Sequence, residues 1–216
     1  MFTGLVQEIG KVLSVQNGNL SLKLKIECNN VIKNANIGDS IATNGVCLTA
    51  TEIGENYFIA DCMYETVKRT NLKRLKIGDK VNLEKSITLS TELGGHLVTG
   101  DVDCEGVISS IKKEGIAKIY EFKIDRKYMK YIVEKGRITI DGASLTVMIL
   151  KDDVFGISLI PHSQEYITLG SKNVGDIVNI ETDLIAKYIE RFMFFDKEEK
   201  KSEKKLTEAF LLENGF

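Results

Sequence analysis

The sequence lacks several features that mark particular classes of protein. Its 216 residues include one proline, no tryptophan and only two histidines, and the formal net charge is −2. A chain without a basic excess lacks the electrostatic field that attracts a nucleic-acid backbone. No apolar run approaches the roughly 20 residues that a membrane-spanning helix needs. We therefore expect neither a nucleic-acid partner nor a membrane partner.

Cysteine usage and the opening residues indicate the cellular compartment. The four cysteines lie far apart without a CxxC pair, which argues against a zinc site or a disulfide framework and suits a reducing cytoplasm. The opening MFTGLVQEIGKV has no basic stretch followed by an apolar run, so no signal peptide is expected. Phosphate loops, dinucleotide fingerprints and the HExxH and GxSxG motifs are also missing. The sequence predicts a cytoplasmic protein and gives no support to the usual cofactor, metal or hydrolase classes.

Apolar residues alternate with polar ones in several stretches. Every second residue is apolar between Asn19 and Glu27, and the same period of two returns from Tyr120 to Ile124. This period is typical of antiparallel strands with one buried face and one wet face. Breaks such as IGD, NG and VGD separate the strands. The pattern predicts an all-β fold built as a barrel or a sandwich.

The chain repeats itself along most of its length. NGVCLT, which begins at Asn44, falls on DGASLT, which begins at Asp141, 97 positions later. IGDKVNLE falls on VGDIVNIE at the same offset, and the opening MFTGLV resembles LVTGDV from Leu97 at an offset of 96. This period is too long for a solenoid, whose units run about 20–50 residues. We predict two homologous closed barrels, at 1–96 and 97–186.

After Asp183 the period changes to that of an amphipathic helix. The apolar positions with helical spacing are Ile185, Tyr188, Ile189, Phe192 and Phe195. The charged run 196–205 is interpreted as a solvated helix face or linker, and helical spacing resumes at Leu206, Ala209 and Phe210. The aromatic side chains of this helix form a larger apolar surface than an isolated, solvent-exposed helix ordinarily carries. We therefore assign 187–216 to a helical segment that forms a subunit contact.

Few side chains in this sequence carry obvious chemistry. His96 follows two glycines between the proposed barrels, which suits a loop whose backbone approaches a ligand, whereas turn packing explains His162 equally well. Cys47 is placed on the inner face of a strand, where a cysteine is ordinarily a small hydrophobe. Its repeat partner, however, is Ser144. A thiol and a hydroxyl at equivalent positions indicate a shared need for a small hydrogen-bonding group.

For several other polar residues, the sequence does not decide between a functional role and an ordinary structural position. Thr49 and Thr146 match across the repeat in the same way. Lys135, Asp141 and Asp183 bring charge to otherwise apolar strands or to their ends. Such groups are almost never fully buried unless they are paired. Surface exposure is therefore the ordinary explanation for each of the three.

Six blocks of sequence together resemble the riboflavin synthase family. They are MFTG at the start, NGVCLT, ETVKRTNL (65–72), GGHLVTG (94–100), DGASLTV (141–147) and LIPHSQEYITLG (159–170). The blocks keep the order of the family, and the resemblance runs to about residue 190. Each block alone is a weak signal, but the set together with its duplication is highly specific.

The resemblance implies a fold, a reaction and partners. The implied fold is two six-stranded Greek-key barrels and a C-terminal helix that holds a homotrimer together. Substrate sites then form between the N-terminal barrel of one subunit and the C-terminal barrel of its neighbour. The implied reaction converts two molecules of 6,7-dimethyl-8-ribityllumazine into riboflavin and 5-amino-6-(D-ribitylamino)uracil by transfer of a four-carbon unit. It needs no metal or redox cofactor, and some relatives also associate with lumazine synthase.

The resemblance also implies which residues form the site. The implied catalytic set is Cys47, His96, Ser144, Asp183 and Ser40. The implied substrate-binding set is Phe2, Thr3, Gly4, Gly45, Val46, Thr49, Gly100, Lys135, Asp141 and Thr146. Cys47 and Ser144 would hydrogen-bond or activate the nucleophile, His96 would carry a proton, and Asp183 would reach across the subunit interface. Phe2 and Thr3 would line the N-terminal pocket from the first strand of the chain. Backbone groups around Gly4, Gly45, Val46 and Thr49 would hold the pyrimidine edge.

One position departs from the pattern of the family, and the fold also suits other functions. Where the family usually has a second histidine shortly after GGH, this chain has Asp101. Activity is expected to be retained, because GGH, Cys47 and Ser144 are present. The nearest rival function is that of a non-catalytic antenna protein that binds lumazine or flavin, although such a protein is expected to lose the polar groups of GGH. An interaction module and a flavin-dependent oxidoreductase are two further hypotheses, and the oxidoreductase would lack a nicotinamide-binding half.

Overall fold

Two closed barrels make up most of the computed structural model, which describes residues 1–202, 208–213 and 215. The strands of the first barrel are β1 (Glu8–Asn17), β2 (Ser21–Glu27), β3 (Ser40–Thr43), β4 (Val46–Ile53), β5 (Tyr57–Met63) and β6 (Lys80–Lys85). They are antiparallel, in the order β1-β2-β5-β4-β3-β6 around the barrel. Strands β3, β4 and β5 pair in succession, and β6 returns to lie beside β3 and β1. This is the predicted Greek-key connection.

The second barrel repeats the first. Its strands are β7 (Cys104–Glu114), β8 (Ala117–Lys123), β9 (Arg137–Ile140), β10 (Ala143–Leu150), β11 (Val154–Leu159) and β12 (Ile177–Thr182). Their order around the barrel is β10-β11-β8-β7-β12-β9. The helices among the strands are α1 (Tyr64–Arg69), α2 (Arg126–Met129) and α3 (Pro161–Tyr166), with 3₁₀ turns at Asn71–Arg74 and Thr168–Ser171. The prediction of two six-stranded barrels is confirmed.

The alternation in the sequence decides which face of each strand is buried. In β2, Leu22, Leu24 and Ile26 are buried in the first barrel, whereas Lys23 between them is exposed. In β8, Tyr120 and Phe122 fill the second barrel in the same way. Because each barrel closes on itself, it has no exposed sheet edge. Each repeat therefore has its own hydrophobic core, and the chemistry of the chain must lie outside these cores.

Two buried asparagines at equivalent positions of the repeat join the barrels. The side-chain amide of Asn82 donates to the carbonyl of Asp141 at 2.8 Å, and that of Asn179 donates to the carbonyl of Asn44 at 2.8 Å. The side-chain oxygens of both asparagines accept backbone N–H bonds from the other barrel, at 2.8 and 2.7 Å. Buried polar groups are costly unless they are paired. The reciprocal bonds therefore fix the position of the barrels, and Met1–Asp183 forms one compact unit.

The barrels also touch at a pair of equivalent glycines. Gly45 and Gly142 have φ angles of 77° and 82°. A Cβ atom added to either glycine would lie 2.7 Å from the backbone nitrogen of the other. Both the left-handed conformation and the close approach require glycine. The NG and DG turns of the repeat are therefore contact points between the barrels as well as hairpin turns.

The C-terminal residues form helices, as predicted. Helix α4 spans Leu184–Ser202 and α5 spans Glu208–Glu213. The exposed apolar side chains of α4 include Ile185, Tyr188, Ile189, Phe192 and Phe195. Residues 203–207 lie outside the described residues, and with them Leu206 and the end of the charged run 196–205. None of the helices within the described ranges has the length and hydropathy of a membrane span.

Replacing Gly45 with alanine is expected to destabilise the paired barrels. Alanine at this positive φ costs on the order of 1–2 kcal/mol, and the collision with the Gly142 backbone adds about 1–3 kcal/mol. Gly78→Ala is the matched control, because Gly78 has φ 95° and nothing lies within 4 Å of its added Cβ. Urea denaturation should show a clearly larger loss of unfolding free energy for Gly45→Ala. Equal losses would contradict a tight contact between the barrels.

Candidate active site

Two short segments of chain cross between the barrels and pair with each other. The backbone N–H of Phe2 donates to the carbonyl of Val98 at 2.8 Å, and the N–H of Val98 donates to the carbonyl of Phe2 at 3.1 Å. The segments 1–5 and 97–101, which are equivalent in the repeat, therefore lie side by side. Each one then contacts the barrel formed by the other half of the chain.

The first crossing segment contacts the C-terminal barrel at Gly4. The backbone N–H of Ser144 donates to the carbonyl of Gly4 at 2.8 Å. Gly4 has φ 74°, and a Cβ added there would lie 2.6 Å from the Cβ of Ser144. Gly95 is equally confined, since its added Cβ would lie 2.1 Å from the carbonyl oxygen of Thr3. Glycine at these positions lets both the crossing segment and the GGH loop lie against Ser144.

The GGH loop brings His96 into contact with Ser144. Nδ1 of His96 lies 2.7 Å from Oγ of Ser144, and Nε2 lies 3.3 Å from Oγ1 of Thr139. The backbone N–H of His96 donates to the carbonyl of Thr3 at 3.0 Å. The connection between β6 and β7 thus supplies the imidazole, and β9 and β10 supply the two hydroxyls. Two residues of the predicted catalytic set form a hydrogen-bonded pair.

Burial favours the neutral form of the His96 imidazole. Removing the ring from water lowers the pKa of His96, because desolvation disfavours the charged imidazolium. The negative charge of Asp183 raises this pKa, and the positive charge of Arg137 lowers it. Desolvation is the largest of the three effects, so the pKa of His96 lies below its ordinary value. The ring is therefore predominantly uncharged at neutral pH.

A neutral imidazole between two hydroxyls can move a proton. In one tautomer Nδ1 accepts a hydrogen bond from the Ser144 hydroxyl while Nε2–H donates to Thr139, and in the other tautomer the roles are exchanged. General acid–base catalysis by such a group typically contributes about 10²–10⁴-fold to a rate. The geometry suits His96 to take a proton from, or return a proton to, a ligand atom bound beside Ser144.

The second crossing segment makes the corresponding contact with the N-terminal barrel. The backbone N–H of Cys47 donates to the carbonyl of Gly100 at 3.0 Å. Gly100 has φ 85°, and its added Cβ would lie 2.6 Å from the Cβ of Cys47. A cavity of about 260 Å³ opens beside this contact. Its lining residues are Val46, Cys47, Glu65, Thr66, Arg69, Thr70, Gly100, Asp101 and Val102.

The two sites differ in the groups beside the shared backbone contact. Ser144 has the imidazole of His96 beside it, whereas the cavity at Cys47 is lined by the carboxylate of Asp101. The rim of that cavity also carries an exposed ion pair between Glu65 and Arg69 of α1. One site therefore offers a hydroxyl with a neutral base, and the other offers a thiol within a charged rim.

Comparison with known proteins identifies the relatives of the chain. The lumazine binding domain family matches twice, at residues 3–86 and 99–183. The chain is 43% identical over its full length to riboflavin synthase of Bacillus subtilis (strain 168) and 42% identical to riboflavin synthase of Actinobacillus pleuropneumoniae. It covers 100% of both relatives. The chain belongs to the riboflavin synthase family. Each of the two domain matches contains all six strands of one barrel.

Solved structures share the fold of this member of the riboflavin synthase family. The structure of LumP complexed with riboflavin matches with a TM-score of 0.79 and 24% identity, and the match covers 85% of this chain and 100% of that one. LumP complexed with 6,7-dimethyl-8-(1′-D-ribityl) lumazine matches with a TM-score of 0.76 and 24% identity, over 84% and 99% of the two chains. At this level of identity the likeness establishes the fold alone.

Two details predicted from the sequence are wrong for this riboflavin synthase family member. Cys47 is not on the inner face of its strand: Val46 and Leu48 fill the barrel core, so the alternation points Cys47 outward, against Phe2. The segment that carries Phe2 is not a barrel strand either, because β1 begins at Glu8. Side chains of the barrel itself fill a closed barrel of this size. Groups that meet a ligand must therefore lie on the outside.

Asp141 is not a surface residue. Its side chain is completely buried beside the joined barrels, where Oδ1 accepts bonds from Asn71 Nδ2 and the backbone N–H of Asn179, both at 2.8 Å. The ammonium of Lys172 lies 3.5 Å from Oδ2. Burial raises the pKa of Asp141, and the charge of Lys172 and the hydrogen bonds oppose this rise. In the single chain, Asp141 holds the barrels together.

The other predicted site residues fall into a buried group and a surface group. The buried group is Phe2, Thr3, Gly4, Gly45, Val46 and Gly100. The partly or fully exposed group is Ser40, Thr49, Lys135, Thr146 and Asp183. Ser40 and Thr49 are paired neighbours on β3 and β4 of the N-terminal barrel, and Arg137 donates to the hydroxyl of Thr146 at 3.2 Å. The hydrogen bonds of His96 lead instead to Thr3, Thr139 and Ser144, so a single chain does not gather the whole predicted set around the imidazole.

Two glutamates belong to the site although the sequence pattern did not indicate them. Glu84 and Glu181, at equivalent positions of the repeat, are each only 3% exposed. They bind the two crossing segments, through the backbone and hydroxyl groups of Thr3 and Thr99. The repeated motifs VNLE and VNIE held the signal, because an acidic residue stands at the same place of a strand in both halves. Buried carboxylates of this kind need hydrogen-bond partners.

Replacing Asp183 with asparagine is expected to lower the pKa of His96 still further. The Asp183 carboxylate stabilises the imidazolium, and its loss leaves desolvation and Arg137 unopposed. Asp101→Asn is the control, since the charge of Asp101 is not among the causes of the His96 shift. The pKa is measured from the Cε1–H resonance of the His96 imidazole during a pH titration. A rise in the pKa of His96 in Asp183→Asn would contradict the assigned sign.

Proposed function

We propose that the chain catalyses the dismutation of two molecules of 6,7-dimethyl-8-ribityllumazine into riboflavin and 5-amino-6-(D-ribitylamino)uracil. A four-carbon unit passes from one lumazine to the other, which makes the enzyme a transferase that acts in the last step of riboflavin biosynthesis. The observation that carries the proposal is the pair of similar but unequal sites at Ser144 and Cys47. The full-length similarity to riboflavin synthases supports it.

Two unequal copies of one site suit a reaction between two identical molecules. A dismutation needs the same compound in two roles, as donor and as acceptor. The backbone contacts at Gly4 and Gly100 are alike, whereas the neighbouring side chains differ, with His96 on one side and Asp101 on the other. Binding both molecules in register makes the step effectively unimolecular, and this can supply roughly 7–11 kcal/mol of the barrier.

The proton chemistry is assigned to His96 and Ser144. The C7 methyl group of the lumazine is acidic because the ring delocalises the resulting anion, so moderate base strength is enough. A neutral His96 can accept this proton directly or through the Ser144 hydroxyl 2.7 Å away and return it when the product forms. The lowered pKa of His96 keeps the base form available at neutral pH.

The complete site is proposed to form between subunits of a cytoplasmic homotrimer. Its support is that Ser40, Lys135 and Thr146 lie on exposed or partly exposed surface in the single chain. Helix α4 presents an exposed aromatic stripe with Tyr188 and Phe192, which are 58% and 73% exposed. Exposed apolar patches of this kind mark contact surfaces. The N-terminal barrel of one subunit would then face the C-terminal barrel of its neighbour, with Asp183 near the reacting rings.

Incubating the purified protein with 6,7-dimethyl-8-ribityllumazine, without an added cofactor, should produce one riboflavin for every two lumazines consumed. Absorbance spectroscopy near neutral pH measures both compounds. Heat-denatured protein is the control for the uncatalysed reaction. Tight binding of lumazine without turnover would overturn the proposal in favour of a non-catalytic antenna protein, whose fold LumP shares.

Mixing two inactive variants should restore activity if the sites form between subunits. Thr66→Phe fills the cavity of the N-terminal barrel, because Thr66 lines that cavity, and His96→Gln removes the base of the C-terminal barrel. Each variant alone is expected to lose about 10²-fold or more in kcat. Coexpressed chains should regain a substantial fraction of the wild-type kcat, since an intact N-terminal site then faces an intact C-terminal site. Failure of coexpressed and verified mixed oligomers to regain activity would place each site within one subunit.

A further inference from the structure

We infer that Glu84 is a positioning residue that acts across the barrel interface, holding His96 and Ser144 in their hydrogen-bonded arrangement. Glu84 lies on β6 of the N-terminal barrel, whereas Ser144 lies on β10 of the C-terminal barrel. The connection between them is the crossing segment 1–5. The inference rests on the function proposed above only where turnover is used as a readout.

The carboxylate of Glu84 holds the crossing segment with three hydrogen bonds. Its Oε1 accepts the backbone N–H and the hydroxyl of Thr3, both at 2.7 Å, and its Oε2 accepts the backbone N–H of Gly4 at 3.0 Å. The hydroxyl of Thr3 in turn accepts the backbone N–H of Leu5 at 3.2 Å. Three consecutive residues are thus ordered by one side chain that is almost completely removed from solvent. Charge-assisted bonds to a buried carboxylate are short and strong.

The ordered segment supports both members of the reactive pair. The carbonyl of Thr3 accepts the backbone N–H of His96 at 3.0 Å, and the carbonyl of Gly4 accepts the backbone N–H of Ser144 at 2.8 Å. The same two residues that donate to Glu84 therefore accept from His96 and Ser144. A shift of the segment would move both partners of the 2.7 Å contact between Nδ1 and Oγ. It would also admit water beside the half-buried imidazole.

The repeat provides an internal control for this coupling. Glu181 accepts the N–H and hydroxyl of Thr99 at 2.7 and 2.8 Å and the N–H of Gly100 at 3.1 Å. Gly100 then contacts Cys47 of the N-terminal barrel. Each barrel thus orients the site on the other barrel. The bonds of Glu84 lead to His96, whereas those of Glu181 to Thr99 and Gly100 lead to Cys47. Two carboxylates of the same geometry and burial serve two different sites.

The test compares Glu84→Gln with Glu181→Gln in the full-length protein. In both variants an NH₂ group replaces one of the two carboxylate oxygens, so one hydrogen-bond acceptor is lost and two donors face each other. We therefore expect both variants to lose thermal stability to a similar extent. The readout is the titration of the His96 imidazole by NMR, in which Asp183 and Arg137 are the charges that act on His96. In Glu84→Gln the pKa of His96 should move up toward its ordinary value, because desolvation weakens. In Glu181→Gln the pKa of His96 should not move.

Turnover supplies the second readout. Misplacing the His96–Ser144 pair should lower kcat in Glu84→Gln by about 10²-fold, with a smaller change in KM. If wild-type protein has no turnover, the proposed function fails, and the titration of His96 still decides the coupling. A shift of His96 in both variants, or in neither, would overturn the inference.

A milder pair of variants covers the case in which Glu84→Gln does not fold. Thr3→Val removes the hydroxyl that bonds Glu84 and the N–H of Leu5, and Thr99→Val removes the hydroxyl that makes the equivalent bonds to Glu181 and Asp101. The valine side chain keeps the shape of threonine, so both proteins should fold. The same criterion applies: the pKa of His96 must rise in Thr3→Val and stay unchanged in Thr99→Val.

Discussion

Both candidate sites depend on the close approach of a glycine backbone to the opposite barrel. Gly4 lies against Ser144 and Gly100 lies against Cys47, each in a left-handed conformation and each with no room for a Cβ atom. Because the hydrogen bond in each contact joins backbone atoms, it is the same in the two halves even though the side chains differ. The crossing segments transmit the position of one barrel to the reactive groups of the other. The duplicated chain therefore works as one unit, with neither half complete alone.

Duplication of the domain explains why the two candidate sites share their backbone contacts and why their neighbouring side chains differ. The repeat fixes the pairs Glu84 and Glu181, Gly4 and Gly100, and Ser144 with Cys47 at equivalent places. The GGH loop breaks this equivalence, because it belongs to the connection between the two copies and places its imidazole against Ser144. His96 therefore lies beside Ser144 of the C-terminal barrel and not beside Cys47 of the N-terminal barrel. The asymmetry between the two candidate sites thus arises from the connection between two copies of one domain.

The fold could be predicted from the sequence to a large extent, and the site to a smaller extent. Alternation in β2 and the repeated NGVCLT and DGASLT blocks predict two barrels, because burial of one strand face has a simple period. The outward direction of Cys47 was within reach of the same rule, because the apolar Val46, Leu48 and Ala50 alternate with Cys47 and two threonines, and the apolar face of a strand meets the core. The burial of Asp141 was out of reach, and so were the hydrogen-bond partners of Glu84 and Glu181, although the repeated VNLE and VNIE motifs mark these glutamates as an equivalent pair. These depend on contacts between residues far apart in the chain, which no local pattern records.

The filled cores of the barrels explain why the candidate sites lie on the outer surfaces of the barrels. Aromatic and branched side chains such as Phe58 and Tyr120 occupy the barrel interiors, so a ring-shaped substrate has no room inside. The outer contact at Cys47 opens into a cavity of about 260 Å³. A pocket of this size is too small to enclose two substituted ring systems, since sites for such ligands run about 300–1,000 Å³. In the homotrimer proposed above, a neighbouring copy of the chain would supply the missing wall, which accords with the exposed or partly exposed positions of Ser40, Lys135 and Thr146.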